Sequence, residues 1–304
     1  MIRKSFLTGE YIFYAKDRAN RPYGIRKRNI ENKPKELCPF CIENKAMTPL
    51  PIYEDKDDLI RIVPNKYPFI SEDVNCYGVH DVVIDTNEHY EKLKDFSDEH
   101  IYRLLDVIRN RLKNLYNDSR IKYVQVFKND GIDAGASQPH SHWQITAMTV
   151  VPHKLEVMLG RLKQYHKDNN ACYFCDNIND DLIVDMNKDF ICYLPRESKF
   201  PYGMNILSRE HISSINAINS SQLMNLATML RDSVKRLYKL IPDVDYNICL
   251  YTLANDNEHC DYFHMYFEII PRIGYMAGFE FSTGCHINSV LPEDGAKELR
   301  NIKL

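Results

Sequence analysis

The chain contains 304 residues, of which 44% are hydrophobic and 27% charged, and its formal net charge at pH 7 is -3. This composition predicts a globular protein with a full core and excludes a disordered, collagen-like or coiled-coil chain. Because 39 basic residues nearly balance 42 acidic ones, we expect no bulk attraction to nucleic acid or to an anionic membrane. No run approaches the roughly 18 apolar residues that span a bilayer, and the first residues do not resemble a signal peptide, so we expect a cytoplasmic protein.

Two of the cysteine pairs have the spacing Cys-x-x-Cys, Cys38 with Cys41 and Cys172 with Cys175. In a reducing compartment, such cysteines are typical of thiols or metal ligands rather than of disulfides. One pair is a weak signal, because a redox dithiol or chance would also produce it. Two pairs, each followed by a strand-like and aromatic-rich chain, indicate an internal duplication.

The same order of elements is predicted after each cysteine pair. In the first half, a strand, a long helix and two further strands are predicted over 79–85, from the cap Ser97, and over 123–127 and 144–151. In the second half, the corresponding segments are 202–208, a helix capped by Ser220 or Ser221, 246–252 and 262–270. Strands, helix and strands in this order predict an α+β fold with antiparallel sheets rather than a doubly wound sheet.

Histidines recur with the cysteine pairs. His89 and His140 are 51 residues apart in the first half, and His211 and His264 are 53 residues apart in the second. A shift of 122 to 124 residues therefore superposes both histidines on their counterparts. We predict two tandem units, residues 1–160 and 161–304, with the boundary in the polar connection near 152–170.

The two halves each supply a Cys₂His₂ set, and thiolate with imidazole is the ligand combination that zinc prefers in tetrahedral sites. The predicted ligand sets are Cys38, Cys41, His89 and His140, and Cys172, Cys175, His211 and His264. A single histidine would be more simply explained as a surface or core residue, but the recurrence of all four positions favours metal. Since the ligands come from distant segments, we expect both sites to be structural.

A second histidine accompanies the ligand in the first half only. On a strand, residues i and i+2 face the same side, so His142 is predicted to lie beside His140 without being a ligand itself. In the second half, His264 is kept, whereas Tyr266 stands at the position of His142 and Glu268 at that of Gln144. This asymmetry predicts a structural role for His140 and a chemical role for His142.

The segment 135–144, Gly-Ala-Ser-Gln-Pro-His-Ser-His-Trp-Gln, resembles galactose-1-phosphate uridylyltransferases, with Asn129 before it and the Cys-x-x-Cys pair upstream. These enzymes form the nucleotidyltransferase branch of the histidine-triad superfamily, which includes the similar ADP-glucose phosphorylases. Segments 18–22, 63–68 and 278–294 resemble the family's N-terminal, nucleoside-binding and sugar-side segments, so the resemblance covers nearly the whole chain. It implies two tandem histidine-triad-like domains in a pseudo-twofold repeat, each with an antiparallel sheet and a long helix.

The resemblance also implies roles for individual residues. His142 would be the nucleophile that becomes covalently nucleotidylated in a ping-pong reaction, Gln144 would bind the phosphoryl oxygens, and Ser137 would contact the phosphate of the sugar substrate. The further substrate-binding residues that it implies are Asn129, Asn65, Arg21 and Gly135. The two Cys₂His₂ sets match metal sites of the family, with zinc expected at both and iron as an alternative at one. A homodimer is expected, because active sites in this family commonly include residues from a second subunit.

Two features distinguish the chain from the uridylyltransferases. Trp143 replaces a glycine, and its ring either reshapes the pocket or packs on the opposite strand face, which we favour. The segment 282–288 lacks the Glu-x-x-Gln pattern that reads the hexose and resembles the phosphorylase-type relatives. His80 and His286 are as consistent with surface histidines as with pocket residues.

Four functions therefore remain open. The leading one is nucleotide transfer between a nucleotide sugar and a hexose 1-phosphate. With inorganic phosphate as acceptor, the enzyme would be an ADP-glucose-type phosphorylase, and a dinucleoside polyphosphate hydrolase or phosphorylase would use the same site. A zinc-stapled binding module is the non-enzymatic alternative, and the near-neutral charge and the His142–Tyr266 asymmetry count against it.

Overall fold

The computed structural model describes residues 2–4, 11–13, 34–57, 59–72, 77–254 and 260–304. Two short strands, β1 (Ile2–Lys4) and β2 (Tyr11–Phe13), pair with each other in a separate antiparallel sheet. Ten further strands of the described chain form one antiparallel sheet: β3 (Tyr53–Glu54), β4 (Arg61–Pro64), β5 (Gly78–Ile84), β6 (Tyr123–Asp130), β7 (His142–Met148), β8 (Ile183–Met186), β9 (Phe190–Tyr193), β10 (Met204–Ser208), β11 (Tyr246–Tyr251) and β12 (Tyr266–Pro271). The predicted α+β class is confirmed.

The strand order of the large sheet reads the same from both edges. The order is β3-β4-β5-β7-β6-β11-β12-β10-β9-β8. Each half contributes a three-strand meander at its edge of the sheet. The last two strands of each half lie between its meander and the other half, and the later of the two in the chain lies beside the meander. The halves meet where β6 pairs antiparallel with β11, and Phe127 faces Cys249 in this register. Val126 pairs with Leu250 on one side of that pair, and Lys128 pairs with Ile248 on the other.

Two long helices cover one face of this sheet. The six α-helices of the described residues are α1 (Asp98–Tyr116), α2 (His153–Asn169), α3 (Tyr173–Asp176), α4 (Ser220–Leu240), α5 (Gly278–Thr283) and α6 (Pro292–Arg300). Ser97 caps α1 as predicted, since its side chain accepts a hydrogen bond from the amide of His100. The cap of α4 is Asn219, one residue before the predicted Ser220, and it forms a capping box with Gln222.

Helical spacing in α1 and alternation in β6 and β7 place the core between them. Leu104 and Ile108 of α1 are fully buried in one cluster with Val124 and Ile145 of the strands. Burial of each such side chain contributes about 1.5–3 kcal/mol of transfer free energy. Since residues alternate along a strand, His142 and Gln144 face the opposite side of the sheet from Ile145.

Helix α2 lies on that opposite side. Its Leu155 packs with Tyr123 of β6 and Met148 of β7 in a second buried cluster. The helix covers most of the predicted connection 152–170 and continues across residues 160 and 161. None of the helices in the described ranges has the length and apolar character needed to cross a membrane.

Candidate active site and metal sites

The first predicted ligand set comes together in space. The Sγ of Cys41 lies 3.2 Å from Nδ1 of His89 and 3.5 Å from Nδ1 of His140, and the Sγ of Cys38 lies 3.6 Å from that same nitrogen. All four donor atoms lie within 4.8 Å of one another, and all four residues are buried. Metal bonds of about 2.0–2.3 Å would place tetrahedral ligands about 3.3–3.8 Å apart, so the spacing fits a metal ion.

The surroundings of this set also fit a cation. Burial is the larger cause and the neighbouring Cys38 the smaller cause that raise the pKa of Cys41 to about 12. A bound cation would lower this pKa again, because it stabilises the thiolate. The Nε2 of His140 lies 2.8 Å from the carbonyl oxygen of Thr86. Because a carbonyl only accepts, this nitrogen carries the proton, and Nδ1 keeps its lone pair for a metal.

The turn between the two cysteines is held by side chains from outside it. The guanidinium of Arg61 donates to the carbonyl of Phe40 at 2.6 Å, and the amide of Asn44 donates to the carbonyl of Cys38 at 2.8 Å. The ring of Phe40 lies edge-on to the ring of His142, with 5.0 Å between their centroids. The turn between Cys38 and Cys41 thus contacts the predicted nucleophile directly.

The second predicted set also comes together but is more open to solvent. The Sγ of Cys175 lies 3.7 Å from Nδ1 of His211 and 3.6 Å from Nδ1 of His264, and the four donors with Cys172 again lie within 4.8 Å. Cys175 and His211 are exposed, whereas Cys172 and His264 are buried. The Nε2 of His264 contacts the hydroxyl of Ser208 at 2.8 Å, where His140 contacts a main-chain carbonyl.

His142 begins β7 and is buried on the face opposite α1. Its Nδ1 lies 2.8 Å from the carbonyl oxygen of His140 and must donate the hydrogen bond, so the proton of the neutral ring sits on Nδ1. Burial lowers the pKa of His142 to about 4. The ring is therefore neutral at pH 7, and Nε2 carries a free lone pair.

Gln144 lies two residues after His142, on the same face of the strand, and a chain of contacts links it to two other side chains. Its Oε1 lies 2.9 Å from the Nε2 of His80, and that nitrogen lies 3.1 Å from the amide nitrogen of Asn65. Asn65 is itself fixed by the amide of Tyr67, which donates to its Oδ1 at 2.9 Å. The interpretation of His80 as an ordinary surface histidine is wrong, because this residue is buried and holds Gln144.

Asn129, at the end of β6, is fixed from the other half of the sheet. The amide of Asn247 on β11 donates to the side-chain oxygen of Asn129 and to the carbonyl of Ala134, each at 2.8 Å. The second half of the chain thereby supports the connection between β6 and β7, which carries Gly135 and Ser137.

That connection has two residues in the left-handed region. Gly131 has φ of +89°, and a Cβ there would meet the carboxylate of Asp245 at 1.7 Å, so only glycine fits. Gly135 has φ of +83° and open space around it, and Ser137 is half-buried two residues further on. The predicted substrate-binding residue Arg21 lies outside the described residues.

A buried ion pair behind the strand of His142 was missed in the sequence. The Lys128 ammonium lies 3.0 Å from the Asp85 carboxylate, 2.5 Å from the hydroxyl of Ser141 and 3.4 Å from the carbonyl of His142. Lys128 and Asp85 are fully buried, and the ring of Trp143 packs in the core 5.9 Å from the ammonium, as favoured for this residue. The sequence does contain a signal for the burial of Lys128, because the alternation of β6 places position 128 on the same face as buried valines.

These elements define an α+β protein with a ten-stranded antiparallel sheet, two Cys₂His₂ groups that could hold metal ions, and a buried histidine on an inner strand. The chain belongs to the superfamily that joins the galactose-1-phosphate uridylyltransferases to the histidine-triad proteins, as the resemblance of segment 135–144 implied. A family model described as the N-terminal domain of a DUF4931 domain of unknown function matches residues 20–151.

Two relatives extend over the whole chain. An ADP-glucose phosphorylase of Arabidopsis thaliana is 29% identical, with 100% of this chain and 93% of the relative covered. A galactose-1-phosphate uridylyltransferase of Thermotoga maritima is 24% identical, with 100% and 98% covered. The crystal structure of an ADP-glucose phosphorylase from Arabidopsis thaliana with bound ADP-glucose superposes with a TM-score of 0.83 at 28% identity, over 100% of this chain and 99% of that chain.

Proposed function

We propose that this protein is a nucleotidyltransferase that moves a nucleoside monophosphate between a nucleotide sugar and a second phosphate through a covalent His142–nucleotide intermediate. The observation that carries the proposal is the hydrogen bond from Nδ1 of His142 to the carbonyl of His140. It fixes the tautomer in which Nε2 is unprotonated, which is the form that a nucleophilic imidazole needs. The lowered pKa of His142 keeps this form populated at neutral pH.

The reaction has two balanced steps. In the first, Nε2 of His142 forms a bond to the α-phosphorus, and the bond from that phosphorus to the bridging oxygen breaks, releasing the sugar 1-phosphate. In the second, an oxygen of the acceptor phosphate attacks the same phosphorus, and the phosphorus–nitrogen bond breaks, restoring neutral His142. Phosphoryl transfer of this kind depends mainly on positioning and on stabilising charge on the equatorial oxygens.

Neutral donors supply that stabilisation. The 2.9 Å contact with Nε2 of His80 holds the side-chain amide of Gln144 in place, and we assign the amide nitrogen of Gln144 to a phosphoryl oxygen. We assign Ser137 and Gly135 to the phosphate of the sugar substrate, because they lie in the glycine-containing connection that leads into β7. Asn129 and Asn65 are assigned to the nucleotide, and Arg21 is assigned with them from the resemblance alone.

We assign zinc to both Cys₂His₂ sets, with iron as an alternative at one, because thiolate and imidazole donors at this spacing suit a closed tetrahedral site. When bound, the ion would cross-link the separate segments of the chain that supply its four ligands. In the first half, Cys38, Cys41, His89 and His140 would hold it. The fixed main chain at His140 then presents its carbonyl to His142.

The acceptor is inferred to be inorganic phosphate rather than a hexose 1-phosphate, and the nucleotide an adenine nucleotide. The supporting observation is that the full-length relative named ADP-glucose phosphorylase is 29% identical, against 24% for the full-length uridylyltransferase. With phosphate as acceptor, the products would be a nucleoside diphosphate and a sugar 1-phosphate. Transfer to a hexose 1-phosphate is the second candidate.

Intact-protein mass spectrometry tests the covalent step. The wild-type protein is mixed separately with ADP-glucose, UDP-glucose and GDP-mannose, and His142→Ala serves as the matched variant. We expect a gain of one nucleoside monophosphate with ADP-glucose that is absent from His142→Ala and is removed by inorganic phosphate. Donor loss without an adduct would instead indicate direct hydrolysis, and no adduct with no donor loss would contradict the proposal. Removal by galactose 1-phosphate but not by phosphate would select the second candidate.

We further infer that residues 1–160 and 161–304 are tandem histidine-triad-like repeats related by a pseudo-twofold axis. The mirrored strand order supports this inference, as does the Phe127–Cys249 pair, because these residues are counterparts at a shift of 122 and face each other. We also propose a homodimer whose sites borrow residues from the second subunit, as the family resemblance implies. Size-exclusion chromatography with light scattering tests the dimer, and a monomeric mass would contradict it.

A further inference from the structure

A cavity of about 990 Å³ opens on the second half of the sheet, on the face that carries His142 in the first half. It lies between α2, the strands β10 and β12, and the chain between β9 and β10. Its volume is at the upper end of the range typical of small-molecule sites, about 300–1,000 Å³. None of the residues assigned above to catalysis, substrate binding or the active-site connection lines it.

The strand register places this cavity where the first half has its candidate active site. Gln144 pairs with Val82 on one side and Phe127 on the other, and Glu268 pairs in the same way with Asn205 and Cys249. The cavity is lined by Asn205, which pairs with Glu268, and by Glu268 and other counterparts of first-half site residues.

Two of those other counterparts carry rings. Tyr266 stands at the position of His142, and Phe174, between the cysteines of the second set, stands at that of Phe40. The centroids of Phe174 and Tyr266 are 5.2 Å apart, and the same distance for Phe40 and His142 is 5.0 Å. The second half therefore keeps the shape of the site while replacing the group that reacts.

The lining combines flat rings with cations. Besides Phe174 and Tyr266, it contains Tyr173 and Phe200, which offer faces to a planar base. Three cationic side chains, Lys154, Arg161 and Lys199, line it as well. Aromatic walls beside lysine and arginine suit a ligand that has a planar ring at one end and a phosphate at the other.

We propose that the second half binds a nucleoside 5′-phosphate in this cavity without transferring it. The inference rests on the repeat proposed above and does not depend on any chemistry of His142. The ring at position 266 closes off the place of the nucleophile, and the phosphate is held by Lys199 and Arg161. The Glu268 carboxylate accepts from the hydroxyls of the ribose, since a carboxylate repels the phosphate that Gln144 attracts in the other half.

Equilibrium dialysis of radiolabelled AMP and, separately, UMP against the metal-loaded wild-type protein tests the proposal. These probes lack a leaving group and therefore bind without reacting. We expect two equivalents of AMP or of UMP per chain. The double variant Lys199→Glu/Arg161→Glu is expected to lose one equivalent, because losing two charge-assisted contacts weakens binding by about tenfold or more. Both side chains are exposed, so the fold is expected to be kept.

Arg196→Glu is the matched control. Arg196 is an exposed cation of the same segment as Lys199 but does not line the cavity, so this variant should keep both equivalents and wild-type transfer activity. The double variant should also keep transfer activity, because neither residue belongs to the site of His142.

The outcomes separate this inference from the proposed enzyme. The second site is overturned if no nucleotide binds, or if one equivalent binds and the double variant leaves it unchanged. It is also overturned if inorganic phosphate or glucose 1-phosphate occupies the cavity in place of either nucleotide. One equivalent that the double variant abolishes, with no covalent adduct on His142, supports the second site while contradicting the proposed transfer.

Discussion

The two halves of the sheet hold the same donor set in the same place but differ in what surrounds it. In the first half the set is buried throughout, and a buried ion pair lies behind the adjoining strand. In the second half, two of the four donors are exposed, and the register places Leu250 at the position of Lys128 and Ser208 at that of Asp85. The ion pair is present only in the half that has His142, although both halves have the donor set, as expected if the pair serves the proposed reaction of His142.

Exchanging the residues at the two equivalent strand positions tests this difference most strongly. His142→Tyr, which copies the second half, is expected to reduce nucleotide transfer on the order of 10⁴-fold or more, because it removes the nucleophile. The reverse change in the same chain, His142→Tyr/Tyr266→His, should restore nothing, since Leu250 and Glu268 remain in place. Stopped assays of ADP-glucose phosphorolysis and intact mass measure both effects. A nucleotide adduct on the double variant would show that the second half needs only the histidine.

Removing one member of the ion pair should cost most in stability. Lys128→Leu leaves the Asp85 carboxylate buried without its cation and is expected to lower the free energy of unfolding by about 3–5 kcal/mol. Lys128→Leu/Asp85→Ser copies the second half and should recover most of that loss, because no charge remains buried. Denaturant titrations measure both values. Transfer activity of the double variant should stay low despite the recovered stability, and full activity would contradict a role for the pair in positioning the start of β7.

The next substitution gives position 144 the glutamate that the second half has at the equivalent position 268. Gln144→Glu replaces an amide donor by a carboxylate beside the phosphate and is expected to lower kcat by about 10²-fold or more. Gln144→Asn, which keeps the amide but shortens it, should lose contact with His80 and fall between this variant and the wild type. Steady-state kinetics measure the series. Equal rates for Gln144→Glu and the wild type would remove the phosphate-binding role.

The smallest expected effect concerns the group that contacts Nε2 of a predicted metal-binding histidine in each half. Ser208→Ala removes the hydroxyl that contacts His264 and is expected to weaken metal binding at the second set by about 10–100-fold. The first set should be unaffected, because His140 is held by the main chain of Thr86. Metal analysis after dialysis against a graded chelator measures the two sites separately. Loss of both metals together would indicate that the sites are not independent.

The sequence predicted the parts of the site that either recur at a fixed shift or interrupt that recurrence. Both ligand sets were found because four residue types repeat together, and His142 was distinguished because Tyr266 breaks the repeat. Lys128 and His80 were missed because their roles depend on partners that only strand pairing supplies. Lys128 reaches Asp85 across 43 positions, and His80 reaches Gln144 across 64. Neither distance corresponds to a spacing that a local pattern can reveal.

The fold was predictable for a related reason. Period-two alternation and helix caps are local, so the α+β class and most elements follow from them. The joining of all ten strands into one sheet is not local, because it depends on β6 pairing with β11, whose central residues are 122 positions apart. The helix α2 also extends through a connection that is polar along most of its length, since only two of its residues, Leu155 and Leu162, are buried.

The pairing of β6 with β11 has a consequence for any attempt to divide the molecule. Both are inner strands, five residue pairs join them, and α1 packs beside α4 above the seam. A fragment cut after residue 160 would turn β6 into an edge strand of eight residues with unpaired amides and carbonyls, and it would expose the apolar flank of α1. Such an edge promotes aggregation, so each half acts as the permanent protective cover of the other.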